Sequence, residues 1–88
     1  MKAANFDWDA VNIEHLALHN VDTDEAEATL DNNPMILRTR DGKYLAYGQT
    51  DEGRYLLVVF VRKPEDMVRP ISARDLTNDE KRRYRRRK

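Results

Sequence analysis

Arg54, Arg62, Arg69 and Arg74 are the side chains of this sequence best suited to hold a phosphate. A planar guanidinium presents a fork of donors that matches paired oxygens, and it keeps its charge at any ordinary pH. Each of the four falls at or near the end of a strand-like run. Tyr84 follows inside Lys81-Arg82-Arg83-Tyr84-Arg85-Arg86-Arg87-Lys88, which holds seven cations in eight residues. A tyrosine there can stack on a base or donate a proton; equally, its ring can pack on a sheet while its hydroxyl reaches water. His19 is of the residue type whose charge changes near neutrality. It stands where a helix ends, so it can also cap carbonyls or pair with Asp22. His15 and His19 have the spacing of two metal ligands on one helical face, but a third ligand at a recognisable spacing is missing, and no metal site is expected. There is no glycine-rich phosphate loop, nucleophile elbow or cysteine motif.

The charge is unevenly laid out. Residues 1–80 carry 9 basic and 16 acidic side chains, and residues 81–88 add seven positive charges that bring the total to zero. A concentrated cationic end seeks phosphate or an acidic protein surface, or else serves as a solvated tail that maintains solubility. With 88 residues, 40% hydrophobic and 36% charged, the chain suits one domain with a small core. The longest apolar run, Leu56 to Val61, is strand length, far short of a membrane span. Met1 to Asn5 leads into acidic residues with no apolar stretch, so no signal peptide is expected. Without cysteine no cofactor-holding thiolate or disulfide framework is available; the expectation is a cytoplasmic, cofactor-free protein with no membrane contact.

The elements that must position these residues follow from periodicity and punctuation. Asn5 to Trp8 reads as a short strand, with Asp7 or Asp9 capping a helix from Ala10 to His19, whose apolar residues are Val11, Ile13, Leu16, Ala17 and Leu18. Asn20 tolerates the left-handed turn that would end it. Asp22-Thr23-Asp24-Glu25 opens a second helix to about Leu30, stopped by Asn32-Asn33-Pro34. Met35 to Arg40 and Tyr44 to Gln49 form a hairpin around Asp41-Gly42. Arg54 to Arg62, apolar on both faces, belongs at the centre of the sheet. Val68 to Ala73 is another strand, in which Pro70 marks an edge or a bulge. Thr77-Asn78-Asp79-Glu80 starts a basic helix through Tyr84. The predicted fold is α+β: a mainly antiparallel sheet packed by two N-terminal helices, with a basic C-terminal helix.

Phe6-Asp7-Trp8-Asp9, Asn12, His19-Asn20-Val21 and Glu25-Ala26 resemble the opening of BrnT-family toxins. Arg54-Tyr55-Leu56-Leu57-Val58-Val59-Phe60 resembles their central strand. Arg69-Pro70-Ile71-Ser72-Ala73-Arg74, with Glu80-Lys81 and Tyr84, resembles their C-terminal signature. Leu18 stands where the family has Lys, Asn20 where it has Gly, and Pro70 where it has Ile. The resemblance spans residues 6–84 and implies a RelE-like single domain over residues 1–84, with residues 85–88 as a basic tail expected to fray.

It further implies the toxin half of a type II toxin–antitoxin pair, an endoribonuclease that cuts RNA without a metal. The site residues so implied are Arg69, Arg74, Tyr84 and His19 for catalysis, with Arg54, Arg62, Lys81, Arg82 and Arg85 on the RNA phosphates. The implied partners are RNA, free or ribosome-bound, and a DNA-binding antitoxin of ribbon-helix-helix or similar type. A homodimer and a toxin–antitoxin hetero-oligomer are both compatible with that reading. The rival reading is a non-catalytic RNA- or protein-binding module on the same fold, favoured by Leu18 and by the lack of an obvious carboxylate base.

Overall fold

The computed structural model describes residues 5–87. Strand β1 (Asn5–Phe6) leads to helices α1 (Ala10–Ala17) and α2 (Thr23–Asp31). Strands β2 (Met35–Arg38), β3 (Tyr44–Gln49), β4 (Tyr55–Lys63) and β5 (Met67–Asp75) follow, and helix α3 (Asn78–Arg85) ends the fold. The five strands form one sheet in the order β1-β5-β4-β3-β2, so the strand apolar on both faces is the central one. Strands β2 to β5 are antiparallel neighbours, but β1 joins β5 in parallel and the sheet is mixed. Two strands separated by the rest of the chain are not bound by hairpin geometry, so their relative direction is free.

Alternation along β4 divides the core. Leu56, Val58 and Phe60 face α1 and α2 and pack with Leu16, Val21, Ala26 and Leu30. Leu57 turns to the other face, where it packs with Tyr47, Leu76 and Tyr84 under α3. Gly48 lets α2 approach β3: a Cβ there would lie 3.2 Å from Pro34 Cβ, Thr29 Cγ2 and the Thr29 carbonyl oxygen.

Pro70 sits at a bulge. Val59 pairs with Ser72 and Phe60 with Pro70, so Ile71 is the extra residue. The same place anchors α1. Asp9 caps the helix by accepting from the amides of Val11 and Asn12, and the Asp9 amide donates back to Asn12 Oδ1 at 2.8 Å. Asn12 Nδ2 then donates to the carbonyls of Asp7 and Pro70, each at 2.8 Å. The buried face of α1 is therefore Asn12 and Leu16, while Val11 and Leu18 are 70% and 78% exposed. Asn12→Ala strands two carbonyls and half of a capping box, and should cost about 2–4 kcal/mol, read from the urea unfolding midpoint. Among the described residues no helix is long and apolar enough to cross a membrane.

Candidate functional site

The sheet end where β4 begins and β5 finishes collects most of the chemistry. Arg54 precedes β4 and is fully engaged. Its Nε donates to Asp75 Oδ1 at 2.9 Å, its Nη1 to Glu25 Oε2 at 3.0 Å and the Asn20 carbonyl at 2.8 Å, and its Nη2 to the His19 carbonyl at 3.3 Å. The chain reverses after α1 with Asn20 at φ 56°, and Arg54 fastens that turn to the sheet. Hydrogen bonding to Asp75 first, and then to Glu25, raises the Arg54 pKa against the opposing effect of burial. Asp75 is correspondingly held below the usual carboxylate range, chiefly by its hydrogen bond to Arg54, with smaller contributions from the charges of Arg54, Lys81 and His19.

Beside this network lies an open cleft of about 220 Å³ lined by Gln49, Tyr55, Tyr84, Arg85 and Arg87. The Tyr55 and Tyr84 rings meet edge to face with centroids 6.1 Å apart. Lys81 Nζ and Arg85 Cζ lie 5.5 and 5.2 Å from the Tyr55 centroid, and Arg87 Cζ lies 4.3 Å from that of Tyr84. Arg85 Nε also donates to the Tyr55 hydroxyl at 3.2 Å. Helix α3 runs one residue past Tyr84, and Arg86 caps it. Arg85 and Arg87 of the expected tail are folded against the two tyrosines; Lys88 lies outside the described residues. Among the described residues Lys81, Arg85 and Arg87 have no carboxylate in ion-pair contact.

The signature arginines are held differently. Arg74 makes a two-pronged pair with Glu80, Nη1 to Oε1 at 2.8 Å and Nη2 to Oε2 at 3.0 Å, and donates to the Asp75 carbonyl. Glu80 is also the third residue of the α3 capping box, its Oε1 accepting from the Thr77 amide. Arg74 first, and the Thr77 amide after it, hold the Glu80 carboxyl down at about 2. A depressed carboxylate contributes stability above its unfolded value and loses it as pH falls through the folded one. Stability should therefore drop between about pH 4.5 and pH 2, and Glu80→Gln should flatten that part of an acid-unfolding curve. Arg69 pairs with Asp9 at 3.0 Å and Asp7 at 3.4 Å, near β1, and Arg82 pairs with Asp79 on the exposed side of α3.

His19, Arg54, Arg74, Lys81, Tyr84 and Arg85 are therefore gathered at one end of the sheet. Arg62 and Arg69 stand toward the other, and Arg82 faces away. The imidazole of His19 is exposed and makes no hydrogen bond among the described residues; Leu18 beside it is on the surface. Sequence reasoning missed Gln49, Tyr55 and Arg87 as cleft walls. The adjacency of Arg54 and Tyr55 at the head of the central strand was the available signal.

A family model described as "Ribonuclease toxin, BrnT, of type II toxin-antitoxin system" matches residues 8–80. The chain belongs to the BrnT family. The crystal structure of the Brucella abortus ribonuclease toxin, BrnT, is similar in fold, with a TM-score of 0.69 over 84% of this chain and 97% of that one, at 21% identity. No curated protein sequence matches. Family membership makes this chain a ribonuclease-type toxin of a type II system, with an antitoxin as partner and RNA as substrate. The BrnT match stops at Glu80, so Lys81, Tyr84, Arg85 and Arg87 bring the α3 side of the cleft from beyond the matched segment.

Proposed function

We propose that this BrnT-family toxin cuts RNA without a metal, by attack of a ribose 2′-hydroxyl on the adjacent phosphorus at the His19–Tyr84 end of the sheet. The observation that carries the reading is the cleft of two tyrosines flanked by three cations that have no carboxylate in ion-pair contact among the described residues, at the same end of the sheet as the exposed His19. Lys81, Arg85 and Arg87, held against the two tyrosine rings, meet the phosphates of the strand. His19 takes the 2′ proton as the O2′–P bond forms; Lys81 and Arg85 stabilise the charge on the phosphorane. The P–O5′ bond then breaks with Tyr84 as proton donor, leaving a 2′,3′-cyclic phosphate and a 5′-hydroxyl. Arg54, Arg69 and Arg74 act through what they hold: the α1–α2 turn, the start of α1, and α3. The antitoxin, presenting carboxylates to the cleft cations, would block the site.

The exposed Leu18 in place of a family Lys favours a second reading, a module that binds RNA without cutting it. The purified chain, incubated with RNA in EDTA, separates the two. Fragments with 2′,3′-cyclic phosphate ends are expected. Binding without cleavage would establish the second reading, and cleavage that requires a divalent ion would overturn the mechanism.

A further inference from the structure

The opposite end of the sheet carries another aromatic–cation group. Arg38 ends β2 and pairs in register with Tyr44 of β3, which in turn pairs with Phe60 of β4. The Tyr44 ring stacks on buried Phe60 with centroids 5.2 Å apart and planes 14° apart, so its position is fixed by the core. Arg38 and Arg62 converge on that ring, their Cζ atoms 5.8 and 5.6 Å from its centroid. Both arginines are exposed. Neither has a carboxylate in ion-pair contact among the described residues, whereas Arg54, Arg69, Arg74 and Arg82 are all paired.

Cation–π attraction positions a guanidinium without spending its N–H donors on a carboxylate, so the fork stays available. Two such forks placed around one rigid ring are preorganised for anionic oxygens. The order lost when a flexible arginine binds phosphate has here been given up in folding. The group lies on the α1–α2 side of the sheet, whereas the cleft opens on the α3 side. From Tyr55 to Arg62 the central strand rises about 23 Å. No single nucleotide reaches both.

We propose that Arg38, Tyr44 and Arg62 form a second RNA-backbone site, which holds a strand several nucleotides away from the cleavage cleft. It rests on the proposed function in taking RNA as the ligand. It makes the toxin select long single strands over short ones, because only a strand long enough to pass from one face of the sheet to the other engages both sites.

The test is the salt dependence of binding to a long 2′-O-methylated RNA, which cannot be cut by 2′-hydroxyl attack. In the double variant Arg38→Gln, Arg62→Gln the log–log slope should become shallower by about 1.4, two single-strand phosphate contacts being lost. Arg38→Lys, Arg62→Lys retains both charges and should retain the slope, which separates loss of contact from loss of fold. An unchanged slope in the glutamine variant overturns the site. So does an unchanged slope accompanied by weaker antitoxin binding, which would make this a protein-contact surface. A shallower slope in a chain that does not cut RNA would sustain this site and defeat the cleavage reading. Cleavage with an unchanged slope would do the reverse, and a wild-type chain that neither binds nor cuts RNA would defeat both.

Discussion

Replacing His19 with alanine should slow RNA cleavage by about 10²- to 10⁴-fold, the usual contribution of one positioned acid–base group. The fold should be unaffected. The imidazole is exposed, and what the fold uses at this position is the backbone carbonyl, which accepts from Arg54 Nη2. A thermal melt should therefore superpose on that of the wild type while single-turnover cleavage collapses. The RNA dissociation constant should change little, since phosphate contact is assigned to Lys81, Arg85 and Arg87. If the variant cuts at the wild-type rate, the proton acceptor lies elsewhere.

Arg74→Ala should cost about 10²-fold in cleavage for a different reason. The side chain ties the end of β5 to Glu80, in the first turn of α3, and α3 carries Lys81, Tyr84 and Arg85. Misplacing a reacting constellation by about 1 Å has a penalty of this order. The contrary role, a direct phosphate contact, predicts the opposite response to a second change. Glu80→Gln would free Arg74 and tighten RNA binding if Arg74 held phosphate. If Arg74 positions α3, Glu80→Gln should impair cleavage in the same direction as Arg74→Ala. Tighter binding in Glu80→Gln would move Arg74 into the site itself.

Much of the scaffold was legible because its signals are local. Asp41-Gly42 makes the hairpin turn with Gly42 at φ 85°, and Thr77 and Glu80 form the capping box that the sequence announces. The run from Tyr55 to Val61 could be buried on both faces only at the sheet centre, and there it lies. Helix α1 was legible but its buried face was not: the helix is fastened through the amide of Asn12, and Val11 and Leu18 are left in solvent. An amide that satisfies two distant carbonyls has no periodicity to betray it. The direction of β1 was hidden for a similar reason, since parallel pairing across most of the chain leaves no turn to read. As for the site, residue type identified the phosphate-suited cations but not which were already paired. Arg54, Arg69 and Arg74 look equivalent to Arg85 and Arg87 in sequence. Only tertiary placement shows that the first three face carboxylates and the last two face tyrosine rings. The landing of α3 on the sheet also turned Tyr55 from a strand residue into a cleft wall.

In the proposed reading RNA is held at the Tyr55–Tyr84 cleft by Lys81, Arg85 and Arg87, with His19 at the same end of the sheet. Titrating the isotopically labelled chain with a short 2′-deoxy-substituted oligonucleotide, too short to span the sheet, tests it by NMR. Chemical-shift changes should concentrate on those residues and on Gln49, with the exposed acidic faces of α2 and the Asp51–Glu52 turn unmoved. Shifts confined to another surface, with the Tyr55–Tyr84 cleft silent at saturation, would contradict it.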